Sequence, residues 1–253
     1  MGEAILRCLL SRGVATPGDI MVSDVSQSRR ELLSREYGVN TLADNRKAIK
    51  GADLIILAVK PQDLVQVMEE IKNPVPQQVV LSIVAGASLS ILCRGLNYPY
   101  IIRAMPNMPA QIGEGMIVWT ATTEVSQKQK EMAQSILGAL GEEIYVDDER
   151  YLDMATALSG SGPAYVFLFI EALIDAGVHI GLPRSIAERL VIQTVIGSTH
   201  TVQEMGKHPA ELRDMVTSPG GTTTEALLQL ERGKFRSLLL EAVAAAYSKA
   251  KRL

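Results

Sequence analysis

Cysteine is scarce in this sequence of 253 residues, with Cys8 and Cys93 the only two. They lie in separate apolar, helix-like segments without CxxC or Cys/His spacing, which argues against a disulfide framework and a zinc site. Both read as packing residues in a reducing, cytoplasmic setting. An excess of one charge is also missing: 25 basic against 28 acidic residues leave a net charge of −3, spread along the chain. Nothing therefore marks a surface for nucleic acid or an anionic membrane. The three histidines, His179, His200 and His208, are not paired at metal or triad spacing, so structural roles and no metal site are expected. No positively charged and then apolar leader opens the chain, so export is not expected. The longest apolar run, AYVFLFI from Ala164 to Ile170, stops at Glu171. A membrane span needs roughly 20 such residues, and the run reads instead as a helix buried at a domain or subunit interface.

What is present divides in two. From Asp19 to Val146 short β-branched runs alternate with helical stretches. DIMVSD, ADLIILAV, QVVLSIVAG and YIIRAM read as strands; QSRRELLSREYG, closed by Gly38, DLVQVMEEI and SLSILCRGL read as helices. Strands without polar alternation, separated by helices, imply a parallel sheet covered on both faces, a Rossmann-like α/β plan. After Asp147 only helices are expected: roughly 163–176, 183–205, 209–215, 223–231 and 235–251. Pro163, Pro183 and Pro209 each suit a first helical turn, where a missing N–H costs nothing. The expected domains are 1–148, nucleotide-binding, and 149–253, all-helical. The second carries more apolar surface than a unit of about 100 residues buries alone, so homodimerisation through it is expected.

The stretch TSPGGTTTEALLQLE, Thr217 to Glu231, carries the strongest local signal. Thr222 and Glu225 fit a capping box, with Thr222 at the N-cap and the helix starting at Thr223. Pro219-Gly220-Gly221 permits a tight turn and close backbone approach. Free N–H groups at a helix start, beside the hydroxyls of Ser218, Thr222 and Thr223, suit a carboxylate. An ordinary capped helix has the same local pattern.

The longer segment MVTSPGGTTTEALLQLERGKFRSLLLEAV resembles the signature of the pyrroline-5-carboxylate reductase family. Four further stretches resemble its landmarks in order: ADLIILAVKPQ, IIRAMPNMPA, LSGSGPAYVF and GLPRSIAERL. The resemblance implies reduction of Δ1-pyrroline-5-carboxylate to L-proline, the last step of proline biosynthesis, with hydride from NADPH or NADH. It implies a substrate carboxylate on the N–H groups of Gly221 and Thr222, an imine nitrogen on the Thr223 hydroxyl as the catalytic contact, and Ser218 lining the same pocket. For the cofactor it implies Gly2, Ala58, Val59, Lys60 and Pro61, with Asn45 at the adenosine ribose and Asn107 near the nicotinamide ribose. Asp24 ends a strand where an acid takes ribose hydroxyls and disfavours a 2′-phosphate, while Ser26, Arg29 and Arg30 nearby can hold one, so the choice of cofactor stays open. Dimers that assemble into a larger ring are a further implication.

By the same resemblance, Met1-Gly2 matches the end of a G-x-G-x-M-G fingerprint. The expectation is of a truncated version of a working protein, lacking a first central strand and two glycines. Such a chain should leave two strands unpaired, fold poorly and bind cofactor weakly, and a dead dimeric relative is one alternative. A β-hydroxyacid dehydrogenase is another. Those enzymes place a lysine on an early helix of the second domain, and no lysine occurs from Tyr151 to Gly206.

Overall fold

The computed structural model describes residues 1–75 and 77–252. The chain forms two compact units, the first reaching Ser161 and joined by the end of the last helix from Ala246, the second spanning Gly162–Ala245.

The first unit opens with α1 (Gly2–Ser11), β1 (Met21–Ser23), α2 (Gln27–Tyr37), β2 (Asn40–Leu42) and α3 (Asn45–Ala48). The Ser26 hydroxyl accepts the Arg29 N–H to start α2, and Gly38, at φ +69°, ends it as its sequence suggests. β3 (Leu54–Leu57), α4 (Leu64–Glu70), β4 (Val79–Ser82), α5 (Leu89–Leu96) and β5 (Ile101–Met105) follow. The unit continues through β6 (Gly115–Ala121), α6 (Gln127–Gly138), β7 (Gly141–Tyr145) and α7 (Arg150–Ala155).

β1 and β2 pair in parallel as one sheet; the other runs β3-β4-β5-β6-β7. Among the described residues β1 pairs only with β2, and β3 only with β4. The larger sheet is parallel except for β5 against β6. Sequence patterning did not anticipate β2, β6 or β7, nor the antiparallel pair. β2 is three residues long and β7, GEEIY, is a half-exposed edge strand, so neither shows a buried apolar run. The β5–β6 connection carries only a short 3₁₀ turn at Met108–Ile112, too little for a crossover helix, and the chain turns back on itself.

Both faces of the larger sheet are covered. Ile55, Leu57, Val80 and Ile101 meet Leu64, Met68, Leu92 and Leu96 of α4 and α5. Val79, Leu81, Ile102 and Ile117 meet Ile5, Cys8 and Leu9 of α1 with Ala133 and Leu137 of α6. α1 also sends Leu6 and Leu10 to Leu33, Val39 and Val22 around the small sheet. One helix therefore packs on both sheets.

The second unit holds α8 (Gly162–His179), α9 (Arg184–Met205), α10 (Pro209–Met215), α11 (Thr222–Arg232) and most of α12 (Phe235–Ala250). α8 packs on α9 where a Cβ on Gly177 would lie 3.0 Å from that of Ala187. Among the described residues of this unit only Ala187 is buried, whereas Phe167, Leu168, Leu190, Leu238 and Leu240 are exposed. A unit with that little core cannot be stable by itself in water. The apolar run at 164–170 belongs to a longer helix than its own length suggests: Arg150 to His179 is helical through a π-helical turn at Thr156–Gly160, and is long and apolar enough by composition to cross a membrane.

One buried charge joins three elements of the first unit. The Arg103 side chain of β5, 8% exposed, pairs with Glu149 at 2.8 Å and Asp153 at 3.2 Å beside α7. Glu149 also accepts the Leu89 N–H at the start of α5. Arg103→Met would leave two carboxylates facing each other without their cation, and should cost about 2–4 kcal/mol. Urea unfolding at fixed protein concentration measures it.

Candidate active site

In the first unit the sequence-predicted residues gather by strand ends. Asp24 follows β1 directly, Asn45 stands three residues after β2, Ala58 to Pro61 follow β3, and Asn107 stands two residues after β5. Dinucleotides bind at this carboxyl edge of an α/β sheet. Gly2 and Ala58 come together: a Cβ on Gly2 would lie 3.3 Å from the Ala58 Cβ, so glycine keeps the helix start close to the β3 loop. Val59 packs into the core. Lys60 is exposed before the 3₁₀ turn Pro61–Asp63.

Two of the asparagines are held by the protein itself. Asn45 Nδ2 donates to Glu70 Oε2 at 2.7 Å. With the Gln66 amide as the larger influence, this holds the Glu70 carboxyl below its ordinary range. Asn107 accepts the Met116 N–H at 3.0 Å and donates to the Ser159 carbonyl at 3.1 Å, so it ties β6 to the π-helical turn.

Around Asp24 a groove of about 720 Å³ is lined by Asp24, Ser26, Ser28, Arg29, Glu31, Leu32 and Arg35. Asp24 Oδ1 accepts the Ser26 N–H at 2.8 Å. Arg29 pairs with Glu3 of α1, which also accepts the Tyr37 hydroxyl at 2.8 Å. The Tyr37 hydrogen bond first, and the Arg29 guanidinium next, hold the Glu3 carboxyl below its ordinary value. Sequence reasoning missed Glu3. Its partners lie 26 and 34 residues away, and no local pattern announces them.

In the second unit Ser218 to Thr224 form a closed turn. Gly220 takes φ +68°, where glycine is favoured. A Cβ on Gly221 would fall on the Ser218 hydroxyl oxygen and 3.1 Å from its carbonyl oxygen. The capping box expected at Thr222 and Glu225 does not form. Gly221 is the N-cap, Thr222 is the first helical residue, and no side chain caps the helix. The extended Gly221 carbonyl instead accepts the Thr224 and Glu225 N–H groups. The Gly221 N–H, expected to face a carboxylate, donates to the Ser218 carbonyl at 3.0 Å and closes the turn. The Thr224 hydroxyl, a contact the sequence reading overlooked in the TTT run, donates to that carbonyl at 2.7 Å. The Thr222 and Thr223 N–H groups have no acceptor among the described residues and point from the start of an 11-residue helix. No group of three or more His, Cys, Asp or Glu suited to a metal occurs among the described residues. His208 accepts the Ala210 N–H and starts α10.

Residues 149–253 match the family described as pyrroline-5-carboxylate reductase dimerisation, and residues 1–86 match NADP oxidoreductase, coenzyme F420-dependent. A pyrroline-5-carboxylate reductase from Synechocystis is 43% identical over all of this chain and 94% of its own length. The chain belongs to the pyrroline-5-carboxylate reductase family. The reductase of Escherichia coli is 39% identical, again over all of this chain and 94% of the relative. Two solved reductases superpose over nearly the whole chain. That of Coxiella burnetii has a TM-score of 0.92 at 37% identity, covering 99% of this chain and 94% of the other. That of Plasmodium falciparum, with NADP bound, has 0.90 at 32%, covering 100% and 94%. The Rossmann-like first unit and the helical dimerisation unit are those of this family, and the family uses NADPH or NADH. Whole-length identity to reductases weighs against both a dead relative and a β-hydroxyacid dehydrogenase.

The strand-end asparagine Asn107 is a brace between β6 and the π-helical turn. Asn107→Ala should speed hydrogen exchange of the Met116 amide by about 5-fold, the loss of about 1 kcal/mol of hydrogen bonding. Amide exchange followed by mass spectrometry reads this directly, and an unchanged Met116 rate would remove the brace.

Proposed function

We propose that this chain reduces Δ1-pyrroline-5-carboxylate to L-proline, completing proline biosynthesis, with NADPH or NADH as hydride donor. The observation that carries the reading is the Ser218–Thr224 turn, which presents two unengaged N–H groups and the Thr223 hydroxyl at one helix start. The substrate carboxylate accepts the Thr222 and Thr223 N–H groups, at the end of the helix where partial positive charge collects. Gly221 serves by lacking a Cβ, which keeps the turn closed, and Ser218 supplies the acceptor that closes it as well as lining the pocket. The Thr223 hydroxyl oxygen accepts the hydrogen of the protonated imine and fixes the face of the C=N bond.

The residues at the strand ends suit a dinucleotide. The missing side chain of Gly2 lets the start of α1 pack against Ala58 at the strand ends, and Asp24, Ser26 and Ser28 offer the hydroxyl and carboxylate groups that a ribose needs. Asn45, Ala58, Val59, Lys60, Pro61 and Asn107 complete the nucleotide-binding edge. The bound nicotinamide supplies the hydride that the imine carbon accepts. The imine nitrogen already carries its proton, so the chain's work is positioning, and no histidine or carboxylate has to move one.

The domain boundary we adopt is 148/149, with the cofactor on the first side and the substrate carboxylate on the second. We place the enzyme in the cytoplasm, as a homodimer through its helical domain with dimers assembling into a larger ring. The apolar helix Arg150–His179 then meets a second copy of the chain, and neither a membrane nor nucleic acid is a partner.

Thr223→Val should lower kcat/KM for the imino acid by about 10–100-fold, the worth of a hydrogen bond to a charged group. Thr223→Ser should restore most of it, and the KM for the cofactor should stay unchanged in both. Full activity in Thr223→Val would overturn the assignment of Thr223. Turnover of hydroxy acids in place of the imino acid would overturn the reaction itself.

A further inference from the structure

We propose that Glu3 sets the cofactor preference of this chain, by holding Arg29 in an ion pair and so leaving the Asp24 groove selective for NADH over NADPH. The inference rests on the reading that the nucleotide lies at the strand ends, and it concerns only the adenosine-ribose end.

The groove has four charged residues in its lining: Asp24, Arg29, Glu31 and Arg35. Each arginine is matched by a carboxylate from outside that lining. Arg29 pairs with Glu3, and Arg35 with Glu36 at 3.1 Å. Neither Asp24 nor Glu31 has an ion pair among the described residues; Glu31 accepts only the neutral Gln27 amide, at 2.8 Å. Two further cations lie nearby and both donate to backbone: Arg30 to the Asp24 carbonyl at 2.7 Å and the Val25 carbonyl at 3.1 Å, and Arg7, close to Glu3, to the Gln111 carbonyl. Asp24 and Glu31 are thus the charged groups of the lining left without an ion-pair partner among the described residues, while both of its arginines are engaged.

Asp24 is oriented for a neutral donor. Its Oδ1 is taken by the Ser26 N–H, which fixes the carboxylate plane and leaves Oδ2 as an acceptor. A ribose hydroxyl donates to such an oxygen, whereas a 2′-phosphate brings close to two negative charges toward it. Release of Arg29 from Glu3 would provide the compensating cation. Glu3 is well placed to prevent that, since the Tyr37 hydroxyl holds it from a second side. Charge, not shape, then decides the preference.

The test is equilibrium binding of NADH and NADPH to the full-length chain, by titration calorimetry, with no turnover required. The wild-type chain should bind NADH about tenfold more tightly than NADPH, the scale of one well-placed charge interaction. Glu3→Gln keeps an acceptor for Tyr37 but removes the charge. It should tighten NADPH by about fivefold and change NADH by less than about twofold. Asp24→Ser, on a different element, should shift the ratio the same way and keeps the test alive if the first variant folds poorly. Equal affinities in the wild type, a preference for NADPH, or parallel weakening of both nucleotides in Glu3→Gln would overturn the inference and leave the nucleotide site standing. Binding of neither nucleotide to any of the three proteins would overturn the strand-end site together with it.

Discussion

The structure depends first on how α1 is seated. Its residues Ile5, Cys8 and Leu9 enter the core of the five-stranded sheet, while Leu6 and Leu10 reach the cluster around the two-stranded one. Helical periodicity makes this possible, because positions one residue apart lie about 100° around the axis and can serve two surfaces. Two further ties fix the helix: Cys8 Sγ lies 3.4 Å from the Ala110 carbonyl, and Arg12 donates to the Gly113 carbonyl at 2.8 Å. Because the helix cannot slide, its first turn is fixed as well. Gly2 is then held against Ala58, and Glu3 against Arg29 and Tyr37. Apolar packing along the helix thereby sets both the backbone approach and the ion pairing beside the carboxyl ends of the strands.

The helical unit obeys the opposite constraint. Its helices are apolar on too many faces to satisfy one another, and only Ala187 is buried among its described residues. Homo-oligomerisation, which its family membership shows, is the arrangement by which a second chain can cover such faces. The Ser218–Thr224 turn of the same unit owes little to that packing. Its shape comes from local bonds: Gly221 N–H and Thr224 Oγ1 on the Ser218 carbonyl, and the Gly221 carbonyl on two helix N–H groups. A site defined by backbone within seven residues is tolerant of variation elsewhere in the helices. It is intolerant of a side chain at Gly221.

That difference explains which features were legible in the sequence. The buried parallel strands β3, β4 and β5 announce themselves as runs such as LIIL and VVLS, and Gly38 marks the end of α2. The SPGGTT segment is visible because glycine and hydroxyl residues concentrate in it, Gly220 at positive φ and Gly221 where a side chain would strike Ser218. What sequence could not show is long-range pairing. β7 reads as charged coil because only its pairing with β6 makes it a strand. The capping box at Thr222 fits by spacing, yet the extended Gly221 ahead of it takes the N-cap and moves the helix start back by one residue. Glu3 and Asn107 are ordinary residues in their own neighbourhoods. Their partners are supplied by the fold alone.

The chemistry accounts for a sequence with only two cysteines and with three histidines that are not paired at metal or triad spacing. A protonated imine is already an electrophile, and a nicotinamide hydride needs no base to leave its carbon, so an enzyme for this reaction gains little from a tuned acid or base. It gains from donors that hold the carboxylate and an acceptor that holds the imine nitrogen, each fixed before substrate arrives. In the proposed site, backbone N–H groups at the start of α11 would meet that demand with no pKa to match, and a histidine can serve elsewhere, as His208 does in starting α10. The one place where charge has to be tuned is the far end of the cofactor, where two nucleotides differ by a single phosphate. At the groove proposed for that end the chain does carry ionisable groups: Asp24 lines it, and Glu3 pairs with Arg29.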